Sequence, residues 1–231
     1  MEWDEFAAQW DWRQGEHVSL IGPTGAGKTT LGLAILPFRR YSVALGTKPK
    51  DPTLSALVRA GWSRIRRWRD RPPMPIVNGK MAPVRLILWP TFRRMADAAE
   101  HRQVFRDALH DMFAEGSWCL FADEIMYLSN DLRLDAELKL WWRQGRSIGL
   151  SLVAATQRPA WVPLELYSQA SHLFLWRTTD RRDLERLRDI SGPVDSRELM
   201  ATVQSLDWRA FEVLYVDTKS GRLIITTPPK A

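Results

Sequence analysis

Two kinds of apolar pattern alternate along the chain. Residues 17–21, 41–45, 84–89, 118–122, 148–155 and 172–176 are short, almost unbroken apolar runs. Runs of that length predict buried strands, and without polar alternation they suit a parallel sheet covered on both faces. Between them, residues 30–36, 53–59, 93–115, 132–146, 180–190 and 195–206 carry apolar residues at helical spacing. In 93–115, for example, Met95, Ala98, Ala99, Val104, Phe105, Ala108, Leu109 and Met112 trace a period near ~3.6. In 132–146, Leu134, Leu138, Trp141, Trp142 and Gly145 fall on one side. Stop signals follow several of these segments: Pro37, Gly116 and Ser191-Gly192-Pro193. Residues 209–217 and 222–227 flank the turn Thr218-Lys219-Ser220-Gly221 and predict a β-hairpin. Residues 71–83, with four prolines and Asn78-Gly79, read as a loop or hairpin. Alternation of strand and helix predicts an α/β fold, a mostly parallel sheet flanked by helices. The 231 residues fit one domain, divided into an N-terminal segment 1–14, a core 15–207 and a C-terminal hairpin and tail 208–231. The first segment, with Trp3, Phe6, Trp10 and Trp12 among acids, predicts an amphipathic piece that packs on the domain or on a neighbouring subunit.

Composition narrows the classes. Hydrophobic residues make up 45% of the chain, which excludes a disordered protein. The single cysteine, Cys119, excludes an internal disulfide, and with four scattered histidines there is no zinc pattern. The histidines read as structural or surface residues. No signal peptide is visible, and no apolar run approaches the ~18 residues of a membrane span, so a soluble, cytoplasmic protein is expected. Lys and Arg exceed Asp and Glu by 33 to 27, a net charge of +6 that permits nucleic-acid binding. The 12 tryptophans read as packing residues before base-stacking ones.

Candidate chemistry starts after the first strand. Gly22-Pro23-Thr24-Gly25-Ala26-Gly27-Lys28-Thr29 has the spacing G-x-x-x-x-G-K-[ST] between a predicted strand and a predicted helix. Such a turn aims backbone N–H groups and the positive end of a helix dipole at phosphate oxygens. Glycines at 22, 25 and 27 let the backbone approach them. Lys28 should reach the β- and γ-phosphates, Thr29 should ligate Mg²⁺, and Gly22 to Thr30 form the nucleotide site. A second signal is the run 118–122 leading directly into Asp123-Glu124. This is the Walker B form: the aspartate holds the Mg²⁺ shell and the glutamate polarises the attacking water. Two adjacent carboxylates in a partly buried site repel each other, and a bound cation removes that cost. Lys48 and Lys50, in the loop after the second strand, lie near nucleotide or DNA or are simply solvated. Residues 59–71, with six arginines and two tryptophans, suit phosphate contact and stacking, or else an edge strand or helix whose tryptophans face inward. Gln157, at the tip of the strand 148–155, reads from the residues alone as a turn residue.

A third segment, Gly145-Arg146, the following strand, then Thr156-Gln157-Arg158-Pro159, completes an ordered set. With the first two motifs it resembles the FtsK–HerA superfamily of DNA-pumping ATPases over residues 15–217. The resemblance implies a RecA-like P-loop core of the ASCE type, with the Gln157 strand between the P-loop and Walker B strands and Gln157 sensing the γ-phosphate. It implies ATP and Mg²⁺ as cofactors and a homo-oligomeric ring, hexameric or pentameric, with DNA in its channel. It also implies an arginine finger supplied to the next subunit: Arg146 first, by its place before the strand, then Arg143 and Arg158. The chain's compactness is similar to that of viral genome-packaging ATPases. The expected function is therefore ATP-driven translocation of double-stranded DNA, docked on a portal-type or other viral protein in the host cytoplasm. Two other readings stand beside it: a conjugation or filamentous-phage assembly ATPase acting on single-stranded DNA, and a nucleotide-dependent scaffold that pumps nothing. A small-molecule kinase fits less well, because Glu124 after Asp123 suits water activation.

Overall fold

Strands that are mostly apolar on both faces need a core on each side of the sheet, and this sheet has two. In the computed structural model, residues 1–93, 97–157, 163–190 and 193–229 are described. Eleven strands appear among them: β1 His17–Ile21, β2 Tyr41–Leu45, β3 Ser63–Ile65, β4 Ile76–Val77, β5 Lys80–Met81, β6 Val84–Leu88, β7 Trp118–Ala122, β8 Ser151–Thr156, β9 Ala170–Trp176, β10 Val213–Asp217 and β11 Leu223–Thr226. Nine of them form one sheet in the order β11-β10-β9-β1-β8-β7-β2-β6-β3, and β4 and β5 form a small separate hairpin. From β9 to β3 every pairing is parallel. β10 runs antiparallel to β9 and to β11, adding the expected terminal hairpin at one edge. The strand that ends beside Gln157 is β8, and it lies between β1 and β7 as the resemblance implied.

Successive strand residues go to opposite cores, as the two-residue period requires. Val43, Leu86, Leu120, Leu152 and Leu173 join one cluster, while Ala44, Ile87, Phe121, Val153 and Phe174 join the other. Among the described residues the α-helices are α1 Trp3–Gln9, α2 Lys28–Ile35, α3 Pro52–Arg59, α4 Ala98–Glu115, α5 Asp135–Gln144, α6 Glu165–Ser168, α7 Arg181–Arg186 and α8 Ser196–Ser205. Buried residues of α4, α5, α7 and α8 pack in the first cluster, and those of α1, α2 and α3 in the second. Leu134, Leu138, Trp141 and Trp142 are all buried, as their spacing predicted.

Some boundaries shifted for local reasons. The helix begun by the P-loop starts at Lys28, and the chain tightens into a 3₁₀ turn, Leu36–Phe38, around Pro37. The long helix begins at Ala98, with Arg93 N–H bonded to the Asp97 carboxylate; residues 94–96, and Met95 with them, lie outside the described residues. The stop at Ser191-Gly192 lies outside them too. Segment 135–148 is α5 followed by a 3₁₀ turn, Gly145–Ile148, that ends in Gly149 at φ +75°. The arginine-rich stretch supplies an edge strand, β3, and turns both tryptophans inward, with Trp68 buried and Trp62 packed on the second core. Arg67 pairs with Asp70 and Arg71 with Glu115, while Arg64 stacks on Trp89 at 4.3 Å.

The N-terminal segment packs on its own domain. Phe6 lies edge-on to Phe174 and Tyr215, and Trp10 stacks on Trp12. Beneath it, at the edge of the sheet where β1 begins, Glu16 is buried. It accepts from Arg13 N–H at 2.8 Å, from His172 Nε2 at 2.9 Å and from the Lys219 ammonium. His172 Nδ1 accepts from Trp10 Nε1–H at 3.2 Å. An indole can only donate, so the other ring nitrogen carries the proton given to Glu16. His17 is equally enclosed: Leu152 N–H donates to its Nδ1 at 3.0 Å, and Nε2 lies 3.2 Å from the Trp142 carbonyl. Burial pushes His17 down to about 4 and the Cys119 thiol up to about 12. Both are structural groups, as expected for the histidine.

Candidate functional site

At the opposite edge of the sheet, where β1, β7 and β8 end, the three sequence motifs meet. β1 delivers the chain to Gly22, whose missing side chain is required by packing: a Cβ there would lie 2.6 Å from the Trp176 Cβ. Gly25 and Gly27 sit at φ +78° and +98°, in the left-handed region that favours glycine. α2 starts immediately afterwards, so its unsatisfied N–H groups face the loop. Lys28 is buried. Its Nζ donates to the carbonyls of Gly22 and Pro23, each at 2.7 Å. An ammonium has a third N–H, left to meet an anion held in the loop. Burial lowers the Lys28 pKa, while Asp123 and Glu124 pull it back up.

β7 places Asp123 beside the start of α2. Thr29 Oγ1 donates to Asp123 Oδ1 at 2.6 Å. The two oxygens suit Mg²⁺, which takes a few protein oxygens and fills its octahedron with phosphate and water. Glu124 follows, half-buried. Burial raises its pKa and the neighbouring Asp123 raises it further, against the Met126 N–H, Lys28 and Lys48. A carboxylate raised in this way is a better proton acceptor than an ordinary one. From β8, Gln157 accepts the Thr24 hydroxyl at 2.7 Å, and the Thr156 carbonyl accepts Gly22 N–H at 3.2 Å. The strand tip is thereby tied to the loop.

Lys48 belongs to the same site, a placement the sequence left open. Its Nζ lies 3.4 Å from Asp123 Oδ2, and its backbone is fixed by Trp89 Nε1–H donating to its carbonyl at 2.8 Å. Trp89 fits only because residue 46 is glycine, where a Cβ would come within 2.5 Å of the indole. Lys48 follows β2, the neighbour of β7, so the sheet order brings it to Asp123. The site thus gathers Gly22, Pro23, Thr24, Gly25, Ala26, Gly27, Lys28, Thr29 and Thr30 with Asp123, Glu124 and Gln157.

Arg146 is elsewhere. Its carbonyl lies 2.8 Å from where a Cβ on Gly15 would stand, just before β1 begins, so the residue sits at the far edge of the sheet from its own P-loop. Its side chain is exposed. Arg143 is held by Glu165 at 2.5 Å, and Arg158 lies outside the described residues.

No family model matches the chain. It is 23% identical over 224 residues to DNA packaging ATPase P9 of Enterobacteria phage PRD1, an alignment covering 92% of this chain and 87% of that protein. In fold it is similar to the genome packaging NTPase B204 of Sulfolobus turreted icosahedral virus 2, with a TM-score of 0.68 at 16% identity, covering 95% of this chain and 99% of B204. B204 has also been solved with ATP-gammaS and with AMPPCP. EssC of Geobacillus thermodenitrificans, ATPases 2 and 3, is a more distant likeness: TM-score 0.57, 11% identity, covering 96% of this chain and 41% of the EssC chain. The chain has a RecA-like P-loop NTPase fold and, in its motifs, sequence and architecture, resembles viral genome-packaging ATPases of the FtsK–HerA type.

Proposed function

We propose that this protein hydrolyses ATP to drive double-stranded DNA into a viral particle, as a homo-oligomeric ring acting in the host cytoplasm. The observation that carries the reading is the joining of Thr29 to Asp123 and of Thr24 to Gln157 around Lys28 and Glu124, in a chain similar over almost its whole length to a packaging ATPase. Lys28 and the loop N–H groups hold the β- and γ-phosphates, and Thr29 with Asp123 holds Mg²⁺. The cation would neutralise charge on the phosphates. Glu124 takes the proton of the attacking water, and Gln157, bonded to Thr24, registers whether the γ-phosphate is present. Exposed Arg66 and Arg69, with the net charge of +6, favour a sequence-blind grip on phosphates. The decisive measurement is the ATPase rate with double-stranded, single-stranded and no DNA, taken with the mass of the assembled particle. Stimulation by duplex DNA in a ring is expected. Stimulation by single strands alone would turn the reading to a conjugation-type ATPase, and a ring indifferent to both would be a scaffold.

The position of Arg146 supports a role in trans. At the far edge of the sheet it cannot serve its own nucleotide, so a role at the γ-phosphate requires a neighbouring subunit. A guanidinium of this kind contributes ~10³–10⁵ in rate. Arg146→Ala should bind ATP, assemble and turn over very slowly. Mixed with Lys28→Ala, each inactive alone, it should regain part of the activity in rings shown by mass to contain both. No recovery in such rings would remove Arg146 from the role.

A further inference from the structure

Between α8 and β10 the chain makes a turn that displays two large aromatic residues to solvent. Trp208 is 63% exposed and Phe211 53%. Most other tryptophans are buried in the two cores, so exposure here is a departure from how the chain uses them. The turn is closed by its own ends: Asp207 N–H donates to the Glu212 carboxylate at 2.7 Å, and Glu212 N–H to the Asp207 carbonyl at 3.1 Å. Phe211 adopts φ +55°, an unfavourable region for a bulky side chain. A rigid turn that spends backbone strain on holding an aromatic ring in the open is a feature to explain by function.

The turn lies beside the P-loop, on the side away from Walker B. Phe211 lines a cleft of about 860 Å³, with Gly27 and Thr30 of the loop and first helical turn, Trp3 of α1, and Pro228 of the C-terminal tail among its other walls. The tail is in contact range of the loop: a Cβ on Gly27 would lie 3.4 Å from Pro228 Cγ. The direction of a nucleotide follows from the site already described. Asp123, Glu124 and Gln157 fix its γ-phosphate end on the β7 and β8 side. The phosphate chain then crosses the start of α2, and the nucleoside leaves past Thr30, into this cleft. The walls are mixed, with Trp3, Phe211 and Pro228 beside Thr30 and the acids Glu2 and Asp4, and the size is that of small-ligand sites generally.

We infer that the nucleobase of the bound nucleotide stacks on Phe211 in this cleft, with Pro228 beside it. The inference rests on the proposed nucleotide-binding reading and adds to it the element that recognises the base. Aromatic stacking is tolerant of base identity, so Phe211 supplies affinity for a nucleobase of any kind.

The test compares Mg-ADP with Mg-pyrophosphate, which has the phosphates and no base, by titration calorimetry. The wild-type protein should bind ADP more tightly than pyrophosphate. Phe211→Ala should weaken ADP binding roughly tenfold or more and leave pyrophosphate binding unchanged, and Phe211→Tyr should restore ADP. Trp208→Ala removes an exposed aromatic that shares with Phe211 a separate cleft beside Pro23 and Ala26 and does not line this one, and it should change neither; circular dichroism checks that all variants fold. Equal losses for ADP and pyrophosphate in Phe211→Ala, no loss at all, or a selective ADP loss in Trp208→Ala instead would each overturn the assignment. A wild-type protein that binds pyrophosphate and ADP equally well would overturn it while leaving the P-loop reading intact. A wild-type protein that binds neither ligand would overturn both.

Discussion

The two edges of the parallel sheet each hold a glutamate among charged neighbours, buried at one and half-buried at the other, and they treat it in opposite ways. At the edge where the strands begin, Glu16 is 3% exposed and receives donors from Arg13, His172 and Lys219. Burial alone would raise its pKa, but those bonds outweigh it and hold the carboxyl well below the usual range. At the edge where the strands end, Glu124 has burial and Asp123 working against its charge, with one backbone N–H and two more distant lysines in its favour, and its pKa rises. The first carboxylate is a satisfied structural anion that pins the N-terminal segment and the terminal hairpin together. The second is an under-satisfied one, free to take a proton. A completed network stabilises and does nothing further, whereas a site meant to exchange protons and phosphates must leave groups short of partners, at some cost in stability.

The largest effect expected from that contrast is on turnover. Lys28→Ala and Glu124→Gln should both lose nearly all ATPase activity, by two or more orders of magnitude. They should separate in binding. Loss of the Lys28 ammonium removes a contact to the phosphates, so Lys28→Ala should bind ATP weakly. Glu124→Gln keeps the shape of the site and should bind ATP near-normally while failing to activate water. Equilibrium binding of a labelled ATP analogue to both folded variants decides it, and equal loss of affinity in both would take Glu124 out of the role of base.

Only one side of this contrast, the phosphate site with Glu124, was legible in the sequence. The parallel core is visible because its main strands are short runs with few polar residues, and the P-loop and Walker B motifs are visible because strand context accompanies the letters. The placement of Lys48 was not, because it depends on β2 lying next to β7, and sheet order is not written in a local pattern. The arginine run was ambiguous for the same reason: Arg71 finds its acid at Glu115, 44 residues away, and only the fold shows Trp68 turned into the core. The Glu16 network is likewise invisible in sequence, since Glu16, His172 and Lys219 are distant along the chain. Phe211 escaped notice because a lone aromatic ordinarily signals core, and nothing local marks this one as exposed.

One substitution made at both edges tests the comparison directly. At neutral pH, Glu16→Gln removes a buried charge that three donors, two of them side chains, are arranged to meet. Breaking a buried network of this sort costs ~3 kcal/mol, or on the order of 10 °C in melting temperature for a chain of this size. Glu124→Gln should act in the other direction, leaving the melting temperature unchanged or raising it slightly, because the ionised Glu124 is held against burial and a like charge. Linkage gives the pH dependence its sign. Glu16 has a lowered folded-state pKa, so its contribution is present above the ordinary carboxylate range and is lost as the pH falls through and below it. The penalty of Glu16→Gln should therefore shrink in acid. Glu124 has a raised folded-state pKa, so the folded state holds its proton more tightly than the unfolded chain does. Its cost appears as the pH rises through that raised value, and the advantage of Glu124→Gln should fade as the pH falls below it. Melting curves of the wild type and both variants, recorded from neutral to acidic buffer, read all four trends. If the two variants shift in the same direction at neutral pH, the two edges do not differ in the way their hydrogen bonds indicate, and the raised pKa of Glu124 would no longer support its role as the proton acceptor.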